Sequence, residues 1–303
     1  MADAVLDRLL SLQSQSGAFP STVEGPDGSV VDETCFVTAQ VALLLIEGRA
    51  GVTGAAAHRR ARAIERALDF VETCAADDPA GAFCFYPPGR ATPRLDIALP
   101  PDADDTALGW LALMAGGRRT PADARAALTA LIPRLEVRAA RRGDPPFARA
   151  PLLRTWFAAP DAPNPVDLIV NINILAALAA AGCSPEFWRV RAARLRALLP
   201  SHQPDRSELR SLAPYYADGA ELAIAGARAV RVGVAELVGV AGIPAPAGDP
   251  LGRPLYCNAH GRPIWRAPAL QLARRWLRPA FPRIDTTLIS GGSHDVHAQI
   301  RLR

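Results

Sequence analysis

Apolar side chains recur along most of the chain at intervals of three and four residues, the spacing that places them on one face of an α-helix. The pattern is clearest in residues 4–10, 36–44, 107–114 and 172–179. Alternating apolar and polar positions, which are typical of strands, are scarce. Clusters of proline and glycine interrupt the helical segments at intervals of roughly 20 to 30 residues. The pattern predicts an all-α chain with long, proline-rich connections.

Parts of the chain repeat one arrangement, in which an aromatic residue in a Gly/Pro-rich loop is followed by an acidic residue and an apolar helix. The three clear copies lie at residues 16–46, 80–107 and 146–171, and a weaker fourth lies at 256–270. Repeated helical hairpins whose loops gather at one end indicate a closed helical barrel or a solenoid. Either fold would place carboxylates at the same end of several helices.

Composition excludes several kinds of chemistry, because all 34 basic residues of the 303-residue chain are arginine. Without lysine there is neither a Schiff-base amine nor the lysine of a phosphate-binding P-loop. The formal net charge of +4 is too small to indicate a nucleic-acid partner. Acidic first residues, interrupted apolar stretches and scattered cysteines favour a cytoplasmic protein with reduced thiols and no transmembrane segment.

The segment Asp102–Ala107 carries the strongest chemical signal in the sequence, because three of its first four residues are aspartates. It follows Pro100 and Pro101 and precedes an apolar helix, so one aspartate is expected to cap that helix. Three carboxyls so close together repel one another if all are ionised. If they are buried, desolvation and like charge raise their pKa values and create a proton donor near neutral pH.

This segment matches the D-x-D-D-T-A motif of class II terpene cyclases, a family that includes copalyl-type diterpene cyclases and squalene–hopene cyclases. The segment Gln13–Phe19 resembles a degenerate copy of their Q-x-x-x-G-x-W repeat, with phenylalanine in place of tryptophan. The resemblance implies one domain over residues 1–303, folded as an α/α toroid of about six helical hairpins (an α6/α6 barrel) like one domain of that family.

The resemblance also implies a reaction. In the family the middle aspartate protonates an alkene or epoxide, and a carbocation cascade then closes the rings. By position Asp104 would be the acid, and Asp102 and Asp105 would tune it. The implied substrate is a linear isoprenoid, most simply a prenyl diphosphate. Protonation needs no cofactor, and Mg²⁺ remains open as a companion of the diphosphate.

Carbocations are stabilised by aromatic faces, so aromatic residues near the cluster are candidates for substrate binding, with core packing as the alternative for each. The candidates are Trp110, Trp156, Tyr256 and Trp265, with Tyr215 and Tyr216 also in this class. Asn171 and Asn173 interrupt an apolar helix and need partners if buried. Either could hold the acid or a water, or could bond a neighbouring helix or loop.

Arginine is the expected partner of a diphosphate in a chain without lysine. Arg262 and Arg266, within a late cluster that also holds Arg253, Arg274 and Arg275, are the candidates. A solvated helix face is the alternative explanation for this cluster.

Three other hypotheses remain open at this point. Class II cyclases normally place their cavity between two barrels, whereas this chain is long enough for one, so a homodimer or a changed activity is an alternative. A likeness to protein prenyltransferase β subunits would require a zinc site, for which Cys257 and His260 supply only two ligands. A non-catalytic barrel that binds an isoprenoid or a protein is the third. The segment His294–His297 is interpreted as a solvated tail.

Overall fold

The part of the chain that can be described is mostly helical, which confirms the prediction at that level. The computed structural model describes residues 2–25, 28–48, 52–90, 99–243, 253–257, 260 and 264–277. The helices are α1 Ala2–Ser11, α2 Cys35–Glu47, α3 Gly54–Thr73, α4 Ala103–Ala115, α5 Pro121–Leu135, α6 Leu168–Ala180, α7 Pro185–Leu198, α8 Arg206–Leu212, α9 Ala220–Arg231, α10 Val238–Ala241 and α11 Pro268–Leu277. None of the helices described here has both the length and the apolar character needed to cross a bilayer.

The helices form an inner and an outer layer, and their composition explains the division. Helices α2, α4 and α6 are apolar around almost their whole circumference and are buried on nearly every side. Helices α3, α5 and α7 bury one face and expose the other, as amphipathic helices do. Inner neighbours pack in the order α2–α4–α6–α9, and α11 packs against α2. Outer helices cover them, with α3 against α2, α7 against α6 and α10 against α9.

A small antiparallel sheet corrects the expectation of an all-α chain. Strands β1 Ser21–Gly25, β2 Gly28–Asp32, β3 Tyr256–Cys257 and β4 Ile264–Arg266 pair in the order β2-β1-β4-β3. In the pairing of β1 with β4, Val23 lies opposite Trp265. Such short strands carry little periodic signal, and the pairing of β1 with β4 joins segments more than 200 residues apart. The sheet brings an early and a late part of the chain together, next to the start of α2.

The three inner helices of the clear repeats begin in the same way. Thr34 accepts a hydrogen bond from the Val37 amide, and Asp102 accepts from the amides of residues 104 and 105. Asp167 accepts from the amides of residues 169 and 170. These are N-cap contacts, which satisfy amides that have no partner inside the helix.

A second contact, four residues after each cap, ties the preceding loop to its helix. The amide of Phe19 donates to Thr38 at 3.1 Å, and the amide of Phe83 donates to Thr106 at 2.9 Å. The amide of Leu153 donates to Asn171 at 2.9 Å. The repeat visible in the sequence is therefore a structural unit in which one polar side chain caps the helix and another clamps the loop.

Candidate active site

A cavity of about 420 Å³ lies beside the N-terminal ends of α2, α4 and α6. Its wall is mainly apolar and aromatic, and the rings that line it include Phe36, Phe85, Trp156, Tyr216, Tyr256 and Trp265. All three aspartates of the cluster, Asp102, Asp104 and Asp105, also line it. A cavity with an apolar wall and a few convergent polar groups is the usual form of a small-molecule site.

The carboxyls of Asp102 and Asp105 are buried at the start of α4 and interact with each other. Burial raises the pKa of Asp102 to about 7, against the lowering effect of a hydrogen bond with Asp105 and of the backbone amides. Burial and the charge of Asp102 raise the pKa of Asp105 well above its usual range. Like charges this close do not both ionise readily, and the charge and hydrogen bond of Asp102 favour the protonated form of Asp105.

Asp104 has different partners, although it is also buried, with 7% of its surface exposed. The amide nitrogen of Asn173 donates to its Oδ1 at 2.7 Å, and the Tyr216 hydroxyl donates to its Oδ2. Burial raises the pKa of Asp104, while these two hydrogen bonds lower it. Desolvation thus favours the neutral carboxyl, and the two donors for its anion are already in place.

The aromatic residues of the wall hold one another in fixed orientations. Tyr256 and Trp265 are stacked, with ring centroids 5.1 Å apart, and Phe85 meets both edge-on. Phe36 meets Tyr256 edge-on at 5.0 Å. The buried carboxylate of Asp32 accepts from the Trp265 indole nitrogen at 2.8 Å, which fixes that ring against the sheet.

The structure brings several of the predicted residues together at this cavity. Trp156, Tyr256 and Trp265 line it, as do Tyr215 and Tyr216. The Trp156 indole nitrogen donates to the Tyr215 hydroxyl at 2.5 Å, and the two rings meet edge-on. Asn173 reaches the site through its bond to Asp104.

Other predicted residues lie elsewhere, for identifiable reasons. Trp110 packs edge-on against Phe83 and donates to the Gly81 carbonyl at 2.8 Å, within the core. Asn171 clamps the loop at Leu153 and has no place in the cavity wall. Arg266 pairs with Glu24 at 2.5 Å across β1 and β4. Arg262 lies outside the described residues.

The described residues give little support to a metal centre. Cys257 and His260 both line the cavity, but no group of three or more His, Cys, Asp or Glu side chains suited to a metal ion occurs in the part of the chain covered by the structure. Burial raises the pKa of the Cys257 thiol to about 11, so it is not a ready thiolate ligand. Cys257 and His260 thus remain two of the ligands that the zinc alternative needs, and the segment His294–His297 lies outside the described ranges.

Sequence reasoning anticipated Asn173 but missed the role of the Tyr216 hydroxyl and two rings beside the stacked pair. Tyr216 was expected only as an aromatic face, whereas its hydroxyl is what touches the acid. These rings are Phe36 and Phe85, each of which directly follows a cysteine within one of the repeats. Searches of protein-family models and of curated proteins find no match to this chain.

Proposed function

We propose that the protein protonates a linear isoprenoid and cyclises it, as a class II terpene cyclase does, with Asp104 as the acid. The observation that carries the proposal is the placement of this buried carboxyl in the wall of an apolar, aromatic-lined cavity, with hydrogen-bond donors on both of its oxygens. The match of residues 102–107 to the D-x-D-D-T-A motif adds independent support.

The first step uses the contacts of Asp104 directly. The alkene π electrons take the carboxyl proton and form a C–H bond, and the electron pair of the broken O–H bond stays on Asp104. An alkene is a very weak base, so the barrier depends on how well the resulting carboxylate is stabilised. Asn173 and Tyr216 already donate to that carboxylate and need no rearrangement as the charge develops.

The cations formed next need a surface that stabilises charge without reacting with it. The stacked faces of Tyr256 and Trp265 and the edge-on rings around them supply such a surface. The hydroxyl of Tyr256 lies 3.3 Å from Ser21, and the Trp265 indole nitrogen is bonded to Asp32, so their polar ends have partners outside the reaction. The cavity wall then directs the folding of the polyprene chain.

The packing order supports the finer description of the fold as an α/α barrel. Helices α2, α4, α6 and α9 follow one another as inner neighbours, and α11 returns to α2. Each repeat contributes one inner helix whose N-terminus faces the cavity. Under this proposal the site lies within a single barrel, and no second domain or second copy is required to build it.

The proposal leaves the anchoring of a diphosphate to parts of the molecule beyond the described wall. Arg266 is paired with Glu24, and Arg274 is paired with Glu221 at 2.6 Å. Neither belongs to the cavity lining. The part of the substrate that the described wall fits is therefore its hydrocarbon chain.

Incubation of the protein with farnesyl diphosphate, geranylgeranyl diphosphate and squalene, followed by mass spectrometry, tests the proposal. We expect a cyclic product from at least one polyprene, with any diphosphate retained. Asp104→Asn keeps the shape of the side chain and removes the acid, so product should be lost while the fold is kept. Asp123→Asn, at the exposed start of α5, is the matched control.

The other outcomes separate the alternatives. Loss of diphosphate from the product would indicate ionisation chemistry, and full activity in Asp104→Asn would exclude Asp104 as the acid. Binding of these polyprenes without turnover would favour the non-catalytic barrel, for which the cavity is also suited. A protein that neither binds nor converts any of the three would overturn both.

A further inference from the structure

A polar network runs behind Asp104 through the otherwise apolar inner helices. Arg228 on α9 donates from Nη1 to Oδ1 of Asn173 at 2.5 Å, and Asn173 donates to Asp104 at 2.7 Å. From Nη2, Arg228 donates to Oε1 of Gln40 on α2 at 2.8 Å. Asn173 and Gln40 are each at most 3% exposed. The guanidinium thus connects α9 to both α6 and α2.

The network fixes the orientation of the Asn173 amide. A guanidinium donates hydrogen bonds and cannot accept them, so the amide oxygen must face Arg228. The amide nitrogen must then face Asp104, where it can only donate. Oδ1 of Asp104 consequently accepts from Asn173, just as Oδ2 accepts from the Tyr216 hydroxyl.

Arg228 is itself held in place by the far side of the network. Gln40 Oε1 accepts a second bond, from Arg274 on α11 at 3.3 Å. Arg274 also pairs through both terminal nitrogens with Glu221 of α9, at 2.6 and 2.8 Å. Glu221 is 3% exposed, so the anchor is buried as well. Such a bidentate pair restricts the position of the guanidinium and of the shared glutamine.

We infer that Arg228 is a positioning residue for the acid, which it orients through Asn173. It holds the Asn173 donor against Oδ1 of Asp104 and adds positive charge behind the carboxylate that proton transfer leaves. The catalytic role of Arg228 rests on the proposed function. The contacts among Arg228, Asn173 and Asp104 do not depend on it. Proton and electrons balance as before, since the O–H pair stays on Asp104 and the proton enters the new C–H bond.

Several other charged or titratable groups face Asp104 and must be kept constant in a test. They are Asp102 and Asp105 on α4, Asp167 at the start of α6, Tyr216, and Glu221 on α9. The charges of Arg231 and Arg274 act on Arg228 itself. A substitution at Arg228 leaves all of them in place. A change in the titration of Asp104 is then attributable to the loss of the guanidinium.

The test is a pH titration of the Asp104 carboxyl by carbon-13 NMR in the full-length protein, with the resonance assigned by its loss in Asp104→Asn. Arg228→Gln should raise the pKa of Asp104 by about one unit, because a positive charge and a correctly oriented donor are lost. Arg231→Gln, on the same helix and in an exposed pair with Glu47, is the matched control and should leave that pKa unchanged.

Turnover of whichever polyprene the wild type converts gives the second measurement. Arg228→Gln should lower kcat about 10-fold to 100-fold with little change in KM, and should move the alkaline limb of the rate profile to higher pH. Arg228→Lys keeps the positive charge, but an ammonium group cannot bond both acceptors with the planar geometry of a guanidinium. In this variant the pKa of Asp104 should therefore be closer to its wild-type value than kcat is. This variant also serves if Arg228→Gln does not fold.

The two proposals can fail separately. If the pKa of Asp104 moves in Arg228→Gln but no polyprene is converted even by the wild type, the positioning role stands and the cyclase proposal fails. If the wild type is active but Arg228→Gln and Arg228→Lys titrate and turn over like Arg231→Gln, the positioning role is overturned.

Discussion

Asp102, Asp104 and Asp105 lie within four positions of one another, yet their carboxyls have three different sets of partners. Asp102 accepts two backbone amides at 2.8 Å and caps α4. One oxygen of Asp105 is buried without a hydrogen-bond partner among the residues described. Asp104 alone meets donors from two other segments, α6 and the loop before α9. These contacts, more than proximity in sequence, distinguish the proposed acid from its neighbours.

Substitution of Tyr216 by phenylalanine tests the donor on Oδ2 of Asp104. The ring stays, and the hydroxyl that stabilises the carboxylate is lost, so the turnover rate should fall about 100-fold. The same hydroxyl lowers the pKa of Asp104. Since the acid works when protonated, the rate falls as pH rises through this pKa, and Tyr216→Phe should move that fall to higher pH. The pH profile of kcat measures both effects.

Tyr215→Phe is the matched control for this prediction. Its hydroxyl also lies at the cavity, but it is bonded to Trp156 and not to Asp104. Only the position of the alkaline limb is compared, and in Tyr215→Phe that position should match the wild type. If the alkaline limb moved equally in Tyr215→Phe and Tyr216→Phe, the Tyr216 hydroxyl would have no special role in setting the pKa of Asp104.

At the scale of the element, the repeating unit is a loop bonded to the first turns of an inner helix. The clamp at Thr106 accepts the Phe83 amide and also donates to the Asp102 carbonyl at 2.5 Å. Thr38 and Asn171 occupy the equivalent positions in the other two units. One short polar side chain therefore holds the loop against the helix that carries the aspartates.

Thr106→Val should remove this clamp while keeping the size of the side chain. The buried Phe83 amide would lose its partner, which typically costs about 1–3 kcal/mol of unfolding free energy. Chemical denaturation of the two proteins measures the difference. Thr129→Val on the exposed face of α5, where the hydroxyl bonds only its own helix, should cost less than about 0.5 kcal/mol. Equal costs at both positions would contradict the clamp.

Gly17 in the first loop is required for a close approach as well as for its conformation. Its φ is +94°, and a Cβ atom there would lie 2.2 Å from the carbonyl oxygen of Arg66. Gly89 has a φ of +77° with open space around it, so Gly89→Ala carries only the backbone strain. We expect Gly17→Ala to lower the unfolding free energy by at least about 2 kcal/mol more. Similar denaturation midpoints for the two variants would refute this.

The predictions that succeeded from sequence depend on neighbours along the chain. Apolar periodicity located α2, α4 and α6, and the Asp102 cap follows from local composition. The sheet was missed because its strands are short and because its central pair, β1 with β4, joins segments more than 200 residues apart. Asn171 and Asn173 look equivalent in sequence, and only packing assigns one to a loop and the other to Asp104.

At the scale of the whole molecule, the candidate site exists only once the inner helices have come together. Asp104 and Tyr216 are 112 positions apart, and Arg228 and Gln40 are 188 apart. No local pattern marks such pairs, since each side chain is ordinary in its own helix or loop. The sequence therefore predicts the acid and its reaction class, while the donors that would set its strength follow from the packing of the inner helices.

The buried carboxyls should also make the stability of the whole molecule depend on pH. Burial raises the pKa of Asp102 and of Asp167 to about 7 in the folded protein, from an ordinary value of 3.8. Between these values the folded state binds more protons than the unfolded state, so the unfolding free energy falls as pH rises. The stability from Asp167 is complete below pH 4 and is lost as the pH passes through about 7.

Asp167→Asn isolates this contribution, because asparagine also caps helices and does not titrate. Asp205→Asn is a matched control, since Asp205 likewise accepts amides two and three residues ahead but lies on the surface. Between pH 4 and pH 7 the wild type should lose on the order of 2–4 kcal/mol more than Asp167→Asn, measured by urea denaturation across the range. Parallel plots of unfolding free energy against pH for the wild type and Asp167→Asn would contradict this prediction. They would mean that the Asp167 carboxyl is already ionised in the folded protein, and that burial at the start of α6 is not enough to keep it protonated.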